Sequence, residues 1–341
     1  MSVDETIRER VAEGQERLFE RKYDEAKKEF TALQRDFPTS PAGYFGEMAV
    51  HAVYMLERED FSREAAFRDA AKRGERAVSH TLQRYAPSNF ELLYCGSYYG
   101  LKGFQEARRS KWFQAYFFGT ESRQLFKRIL NKAPQFVDAK FGMGMYLYWR
   151  TVFAKRLSFI PFLSDRRSEG IAILQEVAGK GVLTKHLARL NLGLVNLEEG
   201  RYKDAEAIFA TYARQYPNNL IFHSFLGRSL MLEHQFDRAL QIFRRMTVID
   251  PTLHRPHYFI ALNLIFKNNK ALYKEADAEF EIFLKTEKLD LWKSYVHYWR
   301  GFMAEKLGEK QKAQNEYREA VRLNKELEQA KFRMRGLGGG L

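Results

Sequence analysis

A recurrence of four residue types at a fixed spacing constrains this chain more than any other feature. The recurring residues are Gly193, Ala205, Phe209 and Pro217, which return 34 residues later as Gly227, Ala239, Phe243 and Pro251. Glycine and alanine let two helices approach closely, an aromatic ring fills the space beside them, and proline ends a helix because it cannot continue one. A period of this length predicts stacked pairs of antiparallel helices.

Further copies of the pattern lie near both ends of the chain. The C-terminal copy consists of Gly301, Gly308, Ala313, Tyr317 and Ala320, preceded by a second helix with Ala276, Phe280 and Phe283. The N-terminal copy consists of Gly14, Tyr23, Ala26, Phe30 and Pro38. Four matched units and a degenerate fifth therefore carry the repeat.

These units resemble the tetratricopeptide-repeat (TPR) superfamily. The resemblance implies an all-α, TPR-like, right-handed superhelical solenoid of about eight antiparallel helix pairs, with one concave and one convex face. We predict an N-terminal TPR at 1–40, extended non-standard helix pairs with a basic surface at 41–181, and four TPRs at 182–327. Residues 328–341 are predicted to end the last helix and to form a flexible Gly-rich tail.

The middle of the chain departs from the 34-residue period. We predict helices over 41–56, 62–85, 89–118, 122–132 and 167–178, with Gly142 and Gly144 inside a further helix. The segments 134–148, 157–163 and 165–170 are similar to an uncharacterised bacterial TPR family. They are more distantly similar to eukaryotic TPR proteins linked to inclusion-body clearance and the mitochondrial outer membrane. Ser164 stands where that pattern has glycine, and the bacterial family implies no activity for any residue.

Positive charge is concentrated in one part of the chain. The whole sequence has 56 Lys or Arg against 43 Asp or Glu, while residues 101–189 have 17 against 6. Such a field favours acidic proteins, anionic lipid or nucleic acid, although solvated helix faces explain it equally well. The aromatic residues follow helical packing spacings, so we do not favour nucleic acid.

No group of residues in the sequence predicts catalysis. Cys95 is the only cysteine, which excludes an internal disulfide and a Cys-based zinc site. His254 and His257 are separated by Pro256, and no carboxylate nearby completes a metal set. We therefore predict no enzyme, no cofactor and no metal site. The N-terminus lacks a signal-peptide pattern, and no run approaches the ~18 apolar residues of a membrane span. We expect a cytoplasmic protein, with the inner membrane face as a peripheral location.

The first helix of each TPR contributes residues to the concave face, and here they form an apolar row. The predicted partner-binding groove consists of Phe141, Met145, Tyr148, Trp149, Leu190, Leu194, Arg228, Met231, Tyr258, Leu262, Phe266, Tyr295, Tyr298 and Phe302. Either a partner covers such a row or the protein covers it itself. Leu190, Leu194 and Phe225 stand where carboxylate-binding TPRs have Lys or Asn. We therefore predict a scaffold or adaptor that binds an apolar helix, a peptide or an acidic protein.

An alternative function is peripheral membrane binding through the segment 157–163. Its residues, with their basic neighbours, are Arg150, Lys155, Arg156, Phe159, Ile160, Phe162, Arg166 and Arg167. Apolar side chains surrounded by cations suit the headgroup region of an anionic bilayer. A segment that packs back against its own helices explains the same pattern.

Overall fold

The computed structural model describes residues 2–154 and 164–338, and every regular element among them is a helix. The chain divides into two compact units, an N-terminal unit (Met1–Asn219) and a C-terminal unit (Leu220–Leu341). The helices of the N-terminal unit are α1 (Val3–Phe19), α2 (Tyr23–Asp36), α3 (Pro41–Arg58), α4 (Glu64–Gln83), α5 (Asn89–Arg108), α6 (Trp112–Lys132), α7 (Val137–Ala154), α8 (Arg167–Lys180), α9 (Lys185–Glu198) and α10 (Tyr202–Gln215). Those of the C-terminal unit are α11 (Leu220–Leu232), α12 (Phe236–Ile249), α13 (Arg255–Phe266), α14 (Tyr273–Leu284), α15 (Asp290–Leu307), α16 (Lys310–Leu323) and α17 (Glu328–Gly336), with a 3-10 turn at Lys270–Leu272.

These seventeen described helices form eight antiparallel pairs and a final helix, α17, which confirms the predicted all-α repeat fold. The predicted helices over 41–56, 62–85 and 167–178 agree with α3, α4 and α8 within two residues at each end. The boundary between the two compact units falls inside the segment 182–327 that was predicted to hold four repeats. The four-part division of the chain stays a prediction.

Most helix pairs turn through one residue in the left-handed conformation. These residues are Arg21, Ser110, Gly200, His234 and Gly308, with φ between 58° and 82°. After each of the first four of these residues, the second helix of the pair begins two residues later with an aromatic side chain. These side chains are Tyr23, Trp112, Tyr202 and Phe236. A single left-handed residue reverses the chain and satisfies the carbonyl groups at the end of the first helix.

A glycine faces an aromatic ring within four of the pairs, at Gly14, Gly193, Gly227 and Gly301. A Cβ added at Gly193 would lie 2.6 Å from the Phe209 ring, and one at Gly227 would lie 2.6 Å from the Phe243 ring. Phe209 and Phe243 are 1% and 0% exposed. The recurring glycines of the sequence are therefore sockets for recurring buried rings, which explains why both residue types keep the 34-residue period.

The α5–α6 pair has the same socket but is longer. Phe126 lies against both Gly96 and Gly142, where an added Cβ would clash with the ring. Gly96 precedes Trp112 by 16 residues, whereas Gly193 precedes Tyr202 by 9. The pair is thus lengthened by seven residues, or about two turns and ~10 Å, in each helix.

The predicted helix over 89–118 is wrong for this reason. α5 ends at Arg108, Ser110 adopts φ = 58°, and α6 already begins at Trp112 rather than at Ser122. The left-handed residue ends α5 in the same manner as Gly200 ends α9. Ser110 is not a glycine, so the sequence marks this turn only by the aromatic residue that follows it.

Candidate partner-binding site

Half-buried aromatic side chains connect successive first helices of the C-terminal unit. The Phe266 ring of α13 meets the Trp299 ring of α15 edge-on, with centroids 5.1 Å apart. Trp299 in turn contacts Phe302 at 5.7 Å and Tyr298 at 4.9 Å. We call Phe266, Tyr295, Tyr298, Trp299 and Phe302 the C-terminal aromatic row; all five are half-buried, as is the predicted groove residue Met231 of α11.

Sequence reasoning missed Trp299, although it joins the two helices of the row. It was missed because only the standard groove positions of each repeat were selected. Tyr298 occupies such a position, and Trp299 is the residue after it. Trp292 was missed as well, since α15 begins at Asp290, a full turn before the corresponding point of a regular repeat. A tryptophan one turn before the expected start of a groove helix is the signal that could have located Trp292.

Tyr258 and Leu262 were predicted to line the groove, and the structure corrects this. Both belong to α13, and their side chains are buried, at 5% and 6% exposed. The Tyr258 ring is surrounded by Phe280 and Phe283 of α14 and by Trp292, at centroid distances of 5.8, 5.4 and 5.1 Å. The additional first turn of α15 brings Trp292 over this ring, so the position becomes core.

A cation stands at each end of the described row. Arg228 of α11 lies over the Phe259 ring at 4.8 Å. Arg333 of α17 lies over Phe302 at 4.9 Å, pairs with Glu305 at 3.0 Å and donates to the Tyr298 hydroxyl at 3.3 Å. The final helix therefore caps the last repeat and leaves the rings between these cations half-buried.

Arg255, the basic residue at a groove position of α13, does not form a carboxylate-binding site. It is 3% exposed and pairs with Glu287 at 3.0 Å, while His254 approaches the same carboxylate at 3.4 Å. Burial opposes ionisation of Glu287, but the nearby His254 imidazole and the charge of Arg255 hold the pKa of this carboxyl below its usual value. The charge of Arg255 is thus engaged inside the unit.

Three predicted groove residues of the N-terminal unit are half-buried beside its core. Phe141, Met145 and Trp149 pack against the core cluster of α7, α8 and α9. Tyr148 was also predicted to line the groove, but it is fully buried and donates to Glu199 at 2.8 Å. The reason is Gly170 of α8, whose missing side chain lets α8 approach the Cβ of Tyr148.

The first helix closes the N-terminal unit onto its last pair. Phe19 of α1 contacts the rings of His186 and Tyr216 at 6.3 and 5.3 Å. The Tyr216 hydroxyl donates to Glu16 at 3.0 Å, and the Asn219 amide donates to the Phe19 carbonyl at 2.9 Å. Leu190 and Leu194 of α9 are half-buried within this closed unit.

The residues of the predicted membrane patch divide into three groups. Arg166 pairs with Glu169, and Arg167 pairs with Asp165 and Glu199, so both charges are locally neutralised. Arg150 instead lies over the Tyr146 ring at 5.7 Å and pairs with no described carboxylate. Lys155, Arg156, Phe159, Ile160 and Phe162 lie outside the described residues.

The described ranges contain no group of three His, Cys, Asp or Glu side chains able to hold a metal ion. Cys95 is buried, and burial raises the pKa of its thiol to about 12, which keeps it protonated at neutral pH. None of the helices in these ranges is long and apolar enough to cross a membrane.

Comparison with known families agrees with the fold. Family models described as tetratricopeptide repeat match residues 166–219, 196–262 and 294–327. Together with the helix pairs and their glycine sockets, these matches identify tetratricopeptide repeats within residues 166–262 and 294–327. TPR arrays present extended surfaces to other proteins, so the class of protein is an interaction scaffold. No curated protein matches the chain significantly.

Several solved structures match the chain at low identity. The APC/C Cut9–Hcn1 hetero-tetramer matches with a TM-score of 0.59 and 12% identity over 92% of this chain, which spans only 52% of the matched chain. Pseudomonas aeruginosa pilF matches with a TM-score of 0.49 and 11% identity, covering 71% of this chain and 97% of its own. Yeast Tom70 matches with a TM-score of 0.48 and 12% identity, covering 96% and 78%. The first likeness supports the fold alone.

Proposed function

We propose that this protein is a scaffold or adaptor whose C-terminal aromatic row receives an apolar helix or an extended peptide of a protein partner. The observation that carries the proposal is Trp299, a half-buried ring that bridges Phe266 of one repeat and Phe302 of its own helix. Tryptophan and tyrosine are enriched among the residues that dominate binding energy at protein interfaces.

The arrangement suits an amphipathic helix. Apolar residues recurring every third or fourth position of a helix can occupy the spaces between neighbouring rings, while Arg228 and Arg333 border the row. The net charge of +13 favours a partner with carboxylates beside its apolar stripe, whereas the charge of Arg333 is already paired with Glu305. We infer that an acidic protein partner would bind in the same way, with an apolar stripe on the row and its carboxylates attracted by the positive charge.

The closed packing of the N-terminal unit supports the choice of the C-terminal unit. Tyr148 is fully buried, and Phe141, Met145 and Trp149 pack against the α7–α9 core. Those three side chains are half-buried, as the C-terminal row is. The choice therefore rests on the contacts of Phe19 with His186 and Tyr216, which join α1 to the last helix pair of the N-terminal unit. The proposed site therefore retains only part of the row predicted from sequence.

Selection of binders from a library of displayed amphipathic helices tests this function. Against a selected helix, Trp299→Ala and Phe266→Ala should each weaken the affinity about 30-fold or more, as expected for buried aromatic anchors. The matched control is Val248→Ala on α12, a residue that is 79% exposed. Circular dichroism verifies that each variant keeps its helical content.

Two outcomes would contradict the proposal. One is a selection that yields no helix with affinity for the full chain. The other is a set of binders whose affinity is unchanged by both row variants.

Membrane binding is a second candidate function. It is favoured by Arg150, which lacks a described acidic partner, and not by Arg166 or Arg167, which are paired.

A further inference from the structure

The tip of the lengthened α5–α6 pair carries aromatic side chains that the protein leaves exposed. Phe113 is 82% exposed, Phe117 54%, Tyr116 46% and Phe104 42%. Phe113, Tyr116 and Phe117 are spaced by three and four residues, so they share one face of α6. Isolated exposed apolar residues are ordinary, but four aromatic residues on one short hairpin end mark an interaction surface.

Phe104 of α5 lies level with the aromatic residues of α6. The adjoining Gly103 packs close to α6, where an added Cβ would lie 3.1 Å from the Ala115 carbonyl and 3.3 Å from the Gly119 nitrogen. The two helices thus present their rings at the same height, with Phe113 one turn closer to the left-handed residue Ser110. We call Phe104, Phe113, Tyr116 and Phe117 the aromatic tip.

Two arginines that pair with no carboxylate of the described residues lie behind the aromatic tip. Arg123 of α6 and Arg150 of α7 approach the Tyr146 ring at 5.4 and 5.7 Å. The Nε atoms of both are buried and make no hydrogen bond. Tyr146 reaches α6 at Gly119, where an added Cβ would lie 3.8 Å from the ring. The two guanidinium groups therefore converge on one tyrosine.

The separation between rings and cations matches the depth of a membrane interface. Arg123 follows Tyr116 by seven residues, which is two helical turns or about 10 Å along α6. Interfacial elements bury their apolar side chains ~5–10 Å below the level of the headgroups, where cations meet lipid phosphates. Residues 101–132 hold eight Lys or Arg and two Glu, which adds long-range attraction to an anionic surface.

We propose that the aromatic tip inserts into the interface of an anionic lipid bilayer, with Arg123 and Arg150 binding headgroup phosphates. A fluid bilayer surrounds all sides of a narrow hairpin end, whereas a single partner helix covers only one side of it. This surface lies on different residues from the C-terminal aromatic row, so it is independent of the proposed scaffold function. It also uses different residues from the segment 157–163.

Vesicle co-sedimentation of the full chain tests the proposal. We expect binding to equimolar phosphatidylcholine and phosphatidylglycerol, and little binding to phosphatidylcholine alone. Phe113→Ser with Phe117→Ser should reduce the partition coefficient about tenfold or more and remove the fraction that resists high salt. Arg123→Gln with Arg150→Gln should reduce it about tenfold and weaken the preference for anionic lipid. The matched control is Phe332→Ser on α17, since Phe332 is 78% exposed but lies elsewhere.

A single labelled position measures insertion directly. Cys95, the only cysteine, is buried and its raised pKa suppresses labelling, so Phe113→Cys can carry an environment-sensitive dye, with Phe332→Cys as control. The dye at position 113 should shift its emission to the blue on anionic vesicles, and the dye at 332 should not. Absent sedimentation at low salt, or equal dye responses, overturns the proposal. If the chain does not bind vesicles but binds a soluble protein, and that binding requires Phe113 and Phe117, the tip is the site of a protein partner instead.

Discussion

The two compact units use the same repeat to different ends. The N-terminal unit lengthens one helix pair, buries Tyr148 in its interior and closes α1 onto α9 and α10 through Phe19. The C-terminal unit adds one turn, at the start of α15, and leaves the rings of Phe266 and Trp299 half-buried along its first helices. The same Gly–aromatic socket stabilises both.

In both units, the repeat determines how the two helices of a pair pack together, but it does not determine which side chains the pair exposes. A glycine opposite a ring sets the distance between helices in each unit. Helix length beyond the socket then decides what is presented, which is an aromatic tip in one unit and an aromatic row in the other. Substitutions matched between the units can therefore separate the packing from the surfaces.

The largest expected effect comes from filling the glycine sockets. Gly142→Ala should destabilise the N-terminal unit by about 3 kcal/mol, because the new methyl group overlaps the Phe126 ring, which Gly96 confines from the other side. Gly227→Ala should cost about 1 kcal/mol in the C-terminal unit, where the Phe243 ring approaches at 2.6 Å. Hydrogen exchange of peptides from each unit measures both.

A double-mutant cycle controls for effects unrelated to the ring. Phe126→Ala removes the clash partner, so Gly142→Ala should cost far less in that background than in the wild-type chain. Equal costs in the two backgrounds would show that Phe126 does not set the helix spacing. Gly179→Ala on α8, where an added Cβ meets nothing within 4 Å, is the neutral reference.

A buried carboxylate should make the N-terminal unit sensitive to acid. Burial of Glu47 opposes its ionisation, but the His51 imidazole at 3.9 Å and hydrogen bonds from Gln34 and Arg73 lower its pKa from 4.5 to about 2. Its contribution to stability is therefore complete above pH 4.5 and is lost as the pH falls towards 2. That contribution is about 3 kcal/mol.

The variant Glu47→Gln isolates this contribution. Its free energy of unfolding should vary less with pH between about 4.5 and 2 than that of the wild-type N-terminal unit. Glu287→Gln should have the same kind of effect in the C-terminal unit, because the pKa of Glu287 is lowered as well. Identical pH profiles for Glu47→Gln and the wild type would refute the assignment to Glu47.

The smallest expected effect concerns the turns. Ser110→Gly should stabilise the N-terminal unit by about 1 kcal/mol, because glycine adopts φ = 58° without the strain of a side chain. Gly308→Ala should destabilise the C-terminal unit by about 1 kcal/mol at φ = 82°. Urea denaturation measures both, and a destabilising Ser110→Gly substitution would contradict the account of this turn.

The period in the sequence predicts most of the fold because close packing leaves a local signature. Gly193, Ala205 and Phe209 are recognisable without coordinates, since each residue type is required by a neighbour within one pair. The early end of α5 was not predicted because a left-handed serine is rare, and a polar residue there indicates nothing by itself. Alignment of Trp112 with Tyr202 would have located the turn.

The site was less predictable than the fold because groove positions depend on the neighbouring repeat. Tyr258 is buried through the early start of α15, and Tyr148 through Gly170 of α8. The closure of α1 onto Tyr216 joins residues 200 positions apart, and no local pattern reports such a contact. The exposed tip was hidden because an aromatic face at helical spacing is also the pattern of a core.

Photo-crosslinking at one tryptophan of each unit tests the central claim that the C-terminal row receives the partner. A benzophenone amino acid replaces Trp299 in the C-terminal row, Trp149 in the N-terminal unit, or the exposed Val248. With a helix selected on the full chain, we predict crosslinking at position 299 and little at 149 or 248. Crosslinking at position 149 with none at 299 would contradict the account, because the partner would then bind the unit that we describe as closed.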